Sequence, residues 1–390
     1  MSVIFFTLFL DLVGFGIVLP LLPQFARQHH AEEWQIGLLM ASYSLMQFFF
    51  APVWGRLSDR IGRRPVLLIS ITGSALSYTL FAFAPNLPLL FVSRLFAGVM
   101  AANVSTAQAY VADVTTPENR AKGMGMVGAA FGLGFVFGPA LAGVLSHWAR
   151  TQGFAPQLVV GLAAATFSLI DLVWAAARLK ESLSPEARAQ ATAPTGKRVE
   201  RMLAALRHPA LQLPIALFFL GTVAWSQLEP TLARYVQERF AFQEAQTGYM
   251  FAFVGIIAAV VQGGYTGRAA KRSGEKRLVL TGSLLLVFGL GGLPLARNVT
   301  ALYALLAVLA IGQALIVPSL QSLISRGAAA TEQGATLGVS QGFSSLARVI
   351  GPASGGALFG VSHALPFWMG AGLMLLCVLL AARLRAPTLT

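Results

Sequence analysis

Charge is scarce in this chain of 390 residues: Asp, Glu, Lys and Arg together make 11% of it, against 56% apolar residues and a mean hydropathy of +0.69. A soluble globular domain carries about 25% charged residues, so a soluble enzyme is excluded. Cysteine is nearly absent, and the single Cys377 permits no internal disulfide and no metal cluster. The sequence has no GxxxxGK[ST] phosphate loop, so ATP is not expected to drive it directly. Gly132-x-Gly134-x-x-x-Gly138 lacks both the GxGxxG spacing and a preceding strand, which removes a dinucleotide site. With no nucleophile constellation either, no enzymatic activity and no cofactor are expected. Period-2 alternation is missing too, which excludes a membrane β-barrel. No Lys or Arg precedes the first apolar stretch, so that stretch reads as a retained span and not as a cleaved leader.

What the chain has is long apolar runs. A membrane-spanning helix needs about 20 predominantly apolar residues. Twelve stretches qualify, roughly 2–24, 34–54, 65–84, 88–112, 120–147, 157–178, 209–233, 243–266, 277–296, 299–324, 334–361 and 364–382. In lipid every backbone N–H and C=O must be paired internally, so these stretches are predicted to be helices of an all-α membrane protein. The net charge of +13 would suit a nucleic-acid partner if it were clustered. It is instead distributed by side. With the N-terminus in the cytoplasm, about 21 of the 28 Lys and Arg fall in cytoplasmic segments, and Arg27, Arg150, Arg234, Arg239 and Arg297 face the opposite side. The expectation is a multi-pass inner-membrane protein with both termini cytoplasmic, no nucleic-acid partner and a monomeric state.

Residues 180–208 break the pattern, being charged, alanine-rich and interrupted by Pro185 and Pro194. They are expected to link a six-helix bundle at 1–179 to a second at 209–390. Internal repetition supports the division. Gly55-Arg56-Leu57-Ser58-Asp59-Arg60-Ile61-Gly62-Arg63-Arg64 is matched 212 positions later by Gly267-Arg268-Ala269-Ala270-Lys271-Arg272-Ser273-Gly274-Glu275-Lys276. Gly138-Pro139-Ala140-Leu141-Ala142-Gly143 is matched 213 positions later by Gly351-Pro352-Ala353-Ser354-Gly355-Gly356. Two parallel six-helix repeats with a site between them are the plan of a rocking transporter.

Charges inside the runs are the candidate functional groups, because each costs roughly 2.5–3.5 kcal/mol to insert at a helix centre. They are Asp11, Arg94, Asp171, Glu229 and Arg348. Asp11 and Glu229 occupy corresponding helices of the two halves, so both are candidate proton carriers. Asp171 and Arg348 read as structural. Gly55 is expected to let a neighbouring helix approach Asp59, and the Asp59 carboxylate is placed to cap a helix N-terminus. Lys271 replaces that aspartate in the second half, so no matching cluster is expected there. Gly134, Gly138, Pro139 and Gly143 are expected to loosen the backbone of the fifth helix and admit close packing. Gln47, Asn103, Gln108, Trp225, Gln227, Gln313 and Gln341 are candidate cavity residues for a small amphipathic substrate.

These motifs together resemble the major facilitator superfamily, specifically its twelve-helix drug:proton antiporters, over nearly the whole chain. Gly55 to Pro65, Arg94-Leu95-Phe96-Ala97-Gly98, Gly128 to Gly143 and Asp11 to Gly16 followed by Leu19 to Pro23 occur in the family's order. The nearest look is to tetracycline/proton antiporters, through Asp59 to Leu68 and Tyr110-Val111-Ala112-Asp113. The chain departs from them at Ser77, Ala258 and Leu286, where those exporters carry ionisable coupling residues. The resemblance implies two six-helix bundles, a proton-coupling set of Asp11, Arg94 and Glu229, and a cytoplasmic gate made of Gly55, Asp59, Arg63 and Asp113. It implies proton-coupled efflux of small amphipathic compounds. A uniporter or importer of a metabolite in the same fold is the first alternative, and a non-transporting receptor or scaffold the second.

Overall fold

The computed structural model describes residues 2–101, 103–115, 117–183, 207–327 and 333–384. Most of the 180–208 linker therefore lies outside the described residues. Among them the chain is helical and without strands. The first span is α1 (Ser2–Val18) continued by a short 3-10 turn and α2 (Leu22–Gln28). It is followed by α3 (Glu33–Ile61), α4 (Arg63–Ala82), α5 (Leu87–Met100), α6 (Asn103–Val114), α7 (Pro117–Thr151) and α8 (Pro156–Arg178). The second half holds α9 (Gln212–Ser226), α10 (Leu228–Phe240), α11 (Glu244–Val261), a π-helical turn (Gln262–Thr266) and α12 (Gly267–Ser273). It ends with α13 (Glu275–Gly292), α14 (Val299–Arg326), α15 (Gln333–Val361) and α16 (Leu365–Ala382).

Nine of the described spans are long and apolar enough to cross a membrane. The other three expected spans are present in altered form. The stretch 88–112 is divided between α5 and α6, and 209–233 is interrupted at Gln227. Pro230 accounts for the second break, because it has no N–H to offer the Ser226 carbonyl four residues back. The stretch 334–361 is one continuous helix, diluted by Ser340, Gln341, Ser344, Ser345, Arg348 and Ser354.

The repeat is written into the helix ends. Asn86 accepts from the Leu89 amide at 3.0 Å to cap α5, and Asn298 accepts from the Ala301 amide at 2.8 Å to cap α14. Such caps are worth about 1 kcal/mol each. Gly62 (φ 107°) and Gly274 (φ 79°) form the turns into α4 and α13, in backbone conformations that a side chain would strain.

The residues group into two compact units. The first comprises Met1–Glu32, Ser42–Pro194 and Ala241–Ala252; the second comprises Glu33–Ala41, Thr195–Phe240 and Phe253–Thr390. Each unit therefore includes the N-terminal turns of one helix from the other half. The core of the first lies where α1, α4, α6, α7 and α8 meet, around Ile4, Leu8, Leu12, Leu67, Ile71, Tyr110 and Ala130.

Candidate functional site

In the first unit the candidate proton group sits on α1 and the candidate arginine on α5. Asp11 is half-buried, and Arg94 is buried at 2% exposure. The Arg94 guanidinium lies 4.8 Å from the ring centroid of Tyr43 and 5.8 Å from that of Phe15. Aromatic faces in a dry site attract a cation by up to about 2 kcal/mol, which lowers the cost of burying it. The buried Tyr78 of α4 lies within electrostatic reach of Asp11, Tyr43 and Arg94 together. A carboxylate and a guanidinium thus each act on Tyr78 inside an apolar bundle. Ser77 and Leu286, both buried, and the half-buried Ala258 supply no further charge.

Arg63 is the centre of a second cluster where α3 turns into α4. It donates to Asp59 at 2.5 Å, to Ser58 at 2.6 Å and, through Nε, to Asp113 at 3.1 Å. Ser182 donates to the same Asp113 oxygen at 2.9 Å. The expected Asp59–Arg63–Asp113 grouping is therefore assembled in space, but two expectations for it need correction. Asp59 does not cap a helix: Glu181 does, accepting from the Arg63 and Arg64 amides at 2.8 and 3.1 Å. Gly55 does not serve close approach in this structure, since a Cβ added there would meet nothing within 4 Å. Sequence reading missed Glu181 because it stands 118 residues from its partner.

At the corresponding turn the second half carries an ion pair and not a symmetric three-residue latch. Glu275, directly after Gly274, is buried at 7% exposure, accepts from Ser322 at 3.1 Å and pairs with Arg326 at 2.9 Å. Glu275 corresponds to Arg63 in the repeat, and Arg326 to Asp113. The pair is kept with its charges reversed. Lys271, the counterpart of Asp59, is exposed.

The Gly-Pro segment of α7 has two packing faces within the first unit. A Cβ at Gly134 would stand 2.6 Å from Leu12 Cβ, and one at Gly138 would stand 2.6 Å from Gly16, so these glycines admit α1. A Cβ at Gly143 would lie 2.8 Å from the Ala245 carbonyl, and one at Gly248 would lie 2.6 Å from that of Pro139, so this face admits α11. In the second unit a Cβ at Gly37 of α3 would fall 2.4 Å from the Pro352 carbonyl. Ion pairs stand beside both crossings. Arg150 binds Glu244 through two nitrogens, one at 2.8 Å. Arg234 binds Glu33 at 3.1 Å and also reaches Glu238, which holds His363 at 3.1 Å. Of these partners Arg150 and Arg234 were legible only as charges on one side of the membrane, although Glu33 and Glu244 each open their helix.

The expected cavity residues scatter. Gln47, Gln108, Trp225, Gln313 and Gln341 are half-buried, as is Glu229 in the first turn of α10. The Asn103 side chain lies outside the described residues. Gln227, at the break between α9 and α10, is fully buried, with its amide against Gly370 of α16 and its stem against Gly355 of α15.

The family model of the Major Facilitator Superfamily matches residues 4–268 and 263–389. The tetracycline resistance protein, class C, of Escherichia coli is 33% identical over 387 residues, covering 96% of this chain and 94% of that protein. Major facilitator superfamily domain-containing protein 10 of Mus musculus is 30% identical, covering 100% of this chain and 93% of that protein. The crystal structure of the human organic anion transporter MFSD10 (TETRAN) is 30% identical, with a TM-score of 0.75, covering 97% of this chain and 98% of that one. The chain belongs to the Major Facilitator Superfamily, and is a multi-pass membrane transporter of two pseudo-symmetric six-helix repeats, not an enzyme.

Proposed function

We propose that this transporter exports small amphipathic molecules in exchange for protons, by alternating access. The observation that carries the reading is a carboxyl, Asp11, half-buried within the apolar span α1, with the buried Arg94 cation in the same unit held over Phe15 of α1 and Tyr43. A carboxyl that feels both burial and a nearby cation changes its proton affinity when its surroundings change. Proton and substrate then drive opposite states only if each binds the two states unequally. Asp11 and Glu229 carry the proton, one in each half. The halves 1–179 and 209–390, joined by a cytoplasmic linker at 180–208, alternate as largely rigid bundles. Gly55, Asp59, Arg63 and Asp113 act at the cytoplasmic gate, and Gly134, Gly138, Pro139 and Gly143 form the antiporter motif of α7. The protein works as a monomer in the inner membrane with both termini in the cytoplasm. Relatives named for tetracycline resistance support an amphipathic drug-like cargo.

The test is accumulation of ethidium in cells lacking their own pumps, comparing the native protein with Asp11→Asn and Glu229→Gln, with and without an uncoupler. Lower accumulation that an uncoupler or either substitution abolishes is the expected result. A second reading, passage of an organic anion without protons, draws on the buried Arg94 cation and on the organic anion transporter of similar structure. It requires downhill flux that survives both substitutions and ignores the pH gradient.

A further inference from the structure

Behind α1, on the side facing α8, the first unit holds a group of polar side chains that no step above uses. Asp171 of α8 is fully buried, and neither of its carboxylate oxygens has a hydrogen-bond partner. The Thr7 and Ser168 hydroxyls and the Trp174 indole nitrogen are likewise buried and unsatisfied. Unsatisfied buried groups are uncommon, and four residues of them on one helix–helix contact call for an occupant.

The spacing explains why they meet. Thr7, Asp11 and Gly14 lie on one face of α1, and Ser168, Asp171 and Ala175 on one face of α8. A Cβ at Gly14 would lie 3.5 Å from the Ala164 carbonyl and 3.6 Å from Ser168 Oγ, which fixes how the faces meet. The Thr7 hydroxyl is directed at Asp171 but falls short of regular hydrogen-bond geometry, and Asp11 is the charge that acts on Asp171. That charge has the same sign. Around the pair stand Tyr78 of α4, which also feels Arg94 and Tyr43, and Arg178, whose guanidinium lies 5.7 Å from the Trp174 ring. Beyond them Ile4, Leu8, Ala175 and Leu179 close an apolar plug.

We propose that Asp171 is a second proton-holding site, sharing its proton with Asp11 through water bound by Thr7, Ser168 and Trp174. Two carboxyls on the facing sides of α1 and α8, with like charge as their mutual influence, hold a proton between them as a pair. Buried polar groups lacking partners are where buried water is retained. In the exchange the Asp171 O–H bond breaks, the proton passes through water, and an O–H bond forms on Asp11. Asp171 is left as the carboxylate, and the charge of the pair is unchanged. Asp171 lies one turn from Asp11 toward the α1 N-terminus and the plug, so the pair sets two depths for one proton. The inference rests on the proton-coupled reading, but its infrared test does not.

Infrared spectra of the purified protein in lipid, recorded without substrate at neutral pH, should contain a protonated carboxyl C=O band that shifts in D2O. Asp171→Asn should remove that band, and Asp11→Asn should displace it. Thr7→Val, which keeps shape and should fold if Asp171→Asn does not, should displace it without removing it. A band unaffected by Asp171→Asn, or a band that sodium titrates away in favour of a bound cation, would overturn the proposal. In liposomes loaded with ethidium, Asp171→Asn should lower pH-driven flux about tenfold, within the ordinary range of a coupling free energy, while ethidium exchange at equal pH continues. Unchanged pH-driven flux would also overturn it. Absence of pH-driven flux in the native protein would sink the coupling reading alone, and the carboxyl band would still decide for or against Asp171.

Discussion

The turn from α3 to α4 and the turn from α12 to α13 are copies of one another in backbone and opposites in charge. Both place a glycine with positive φ before the first residue of a helix. That first residue is an arginine in one and a glutamate in the other, and each reaches back to the end of a helix from the same half. The acid–base sense is inverted at three positions together: Asp59 against Lys271, Arg63 against Glu275, and Asp113 against Arg326. What is retained is attraction between the turn and the helix end; which partner is the cation is free. The copies are unequal in depth. The Arg63 side chain is 10% exposed and serves two carboxylates, whereas Glu275 at 9% meets an arginine that is 57% exposed. A pair with one partner in water is screened and contributes little.

The comparison can be broken most severely at Arg63. Arg63→Met leaves Asp59 and Asp113 facing each other without their cation. The expected loss is on the order of 2–3 kcal/mol, below the full penalty for breaking a buried pair because both carboxylates are partly exposed. A lowered unfolding midpoint in lipid, with loss of ethidium efflux, checks it. Putting the second copy's charges into the first, as Asp59→Lys, Arg63→Glu and Asp113→Arg together, should recover most of that stability. If the triple variant is no better than Arg63→Met, the two turns are not equivalent.

The glycine crossings give a second pair to test. A methyl at Gly37 would fall 2.4 Å from a backbone carbonyl and one at Gly248 would fall 2.6 Å from its counterpart. Each Gly→Ala change should cost about 1–3 kcal/mol by overpacking, with Gly37→Ala at least as damaging, and Gly55→Ala should be neutral by the same thermal assay. Glu275→Gln removes the charge but keeps an acceptor for Ser322, so a loss of about 1 kcal/mol or less is expected. The smallest effect belongs to His363→Gln, at a side chain 58% exposed. A change beyond about 1 kcal/mol there would show that the Glu33–Arg234–Glu238–His363 chain acts as a network and not as surface pairs.

Much of this could be read from the chain. Hydropathy needs only composition along the sequence, so the spans were legible, including those later found broken at Gln227 or between Met100 and Asn103. Repetition was legible at the Gly-Pro segments and the two turns, since it is a property of spacing. The Asp59, Arg63 and Asp113 grouping was implied only by the family resemblance. Asp171 is visible as a charge inside a span, but nothing in its neighbours along the chain shows that Thr7 and Asp11 stand opposite. Gln227 was placed in a cavity because a glutamine in an apolar run must face something polar, and the run cannot say that its amide ends against Gly370.

By itself the sequence determined that this is a membrane-spanning, helical, twofold-repeated transporter, because lipid imposes one constraint on every residue of a span and that constraint is local. Tertiary structure alone decided which charges meet. Arg63 with Asp113, Glu275 with Arg326, Glu181 on the first amides of α4, and Asp171 beside Asp11 each join residues far apart in the chain. An ion pair or a shared proton depends on separation within a few ångströms, and helix packing sets that separation.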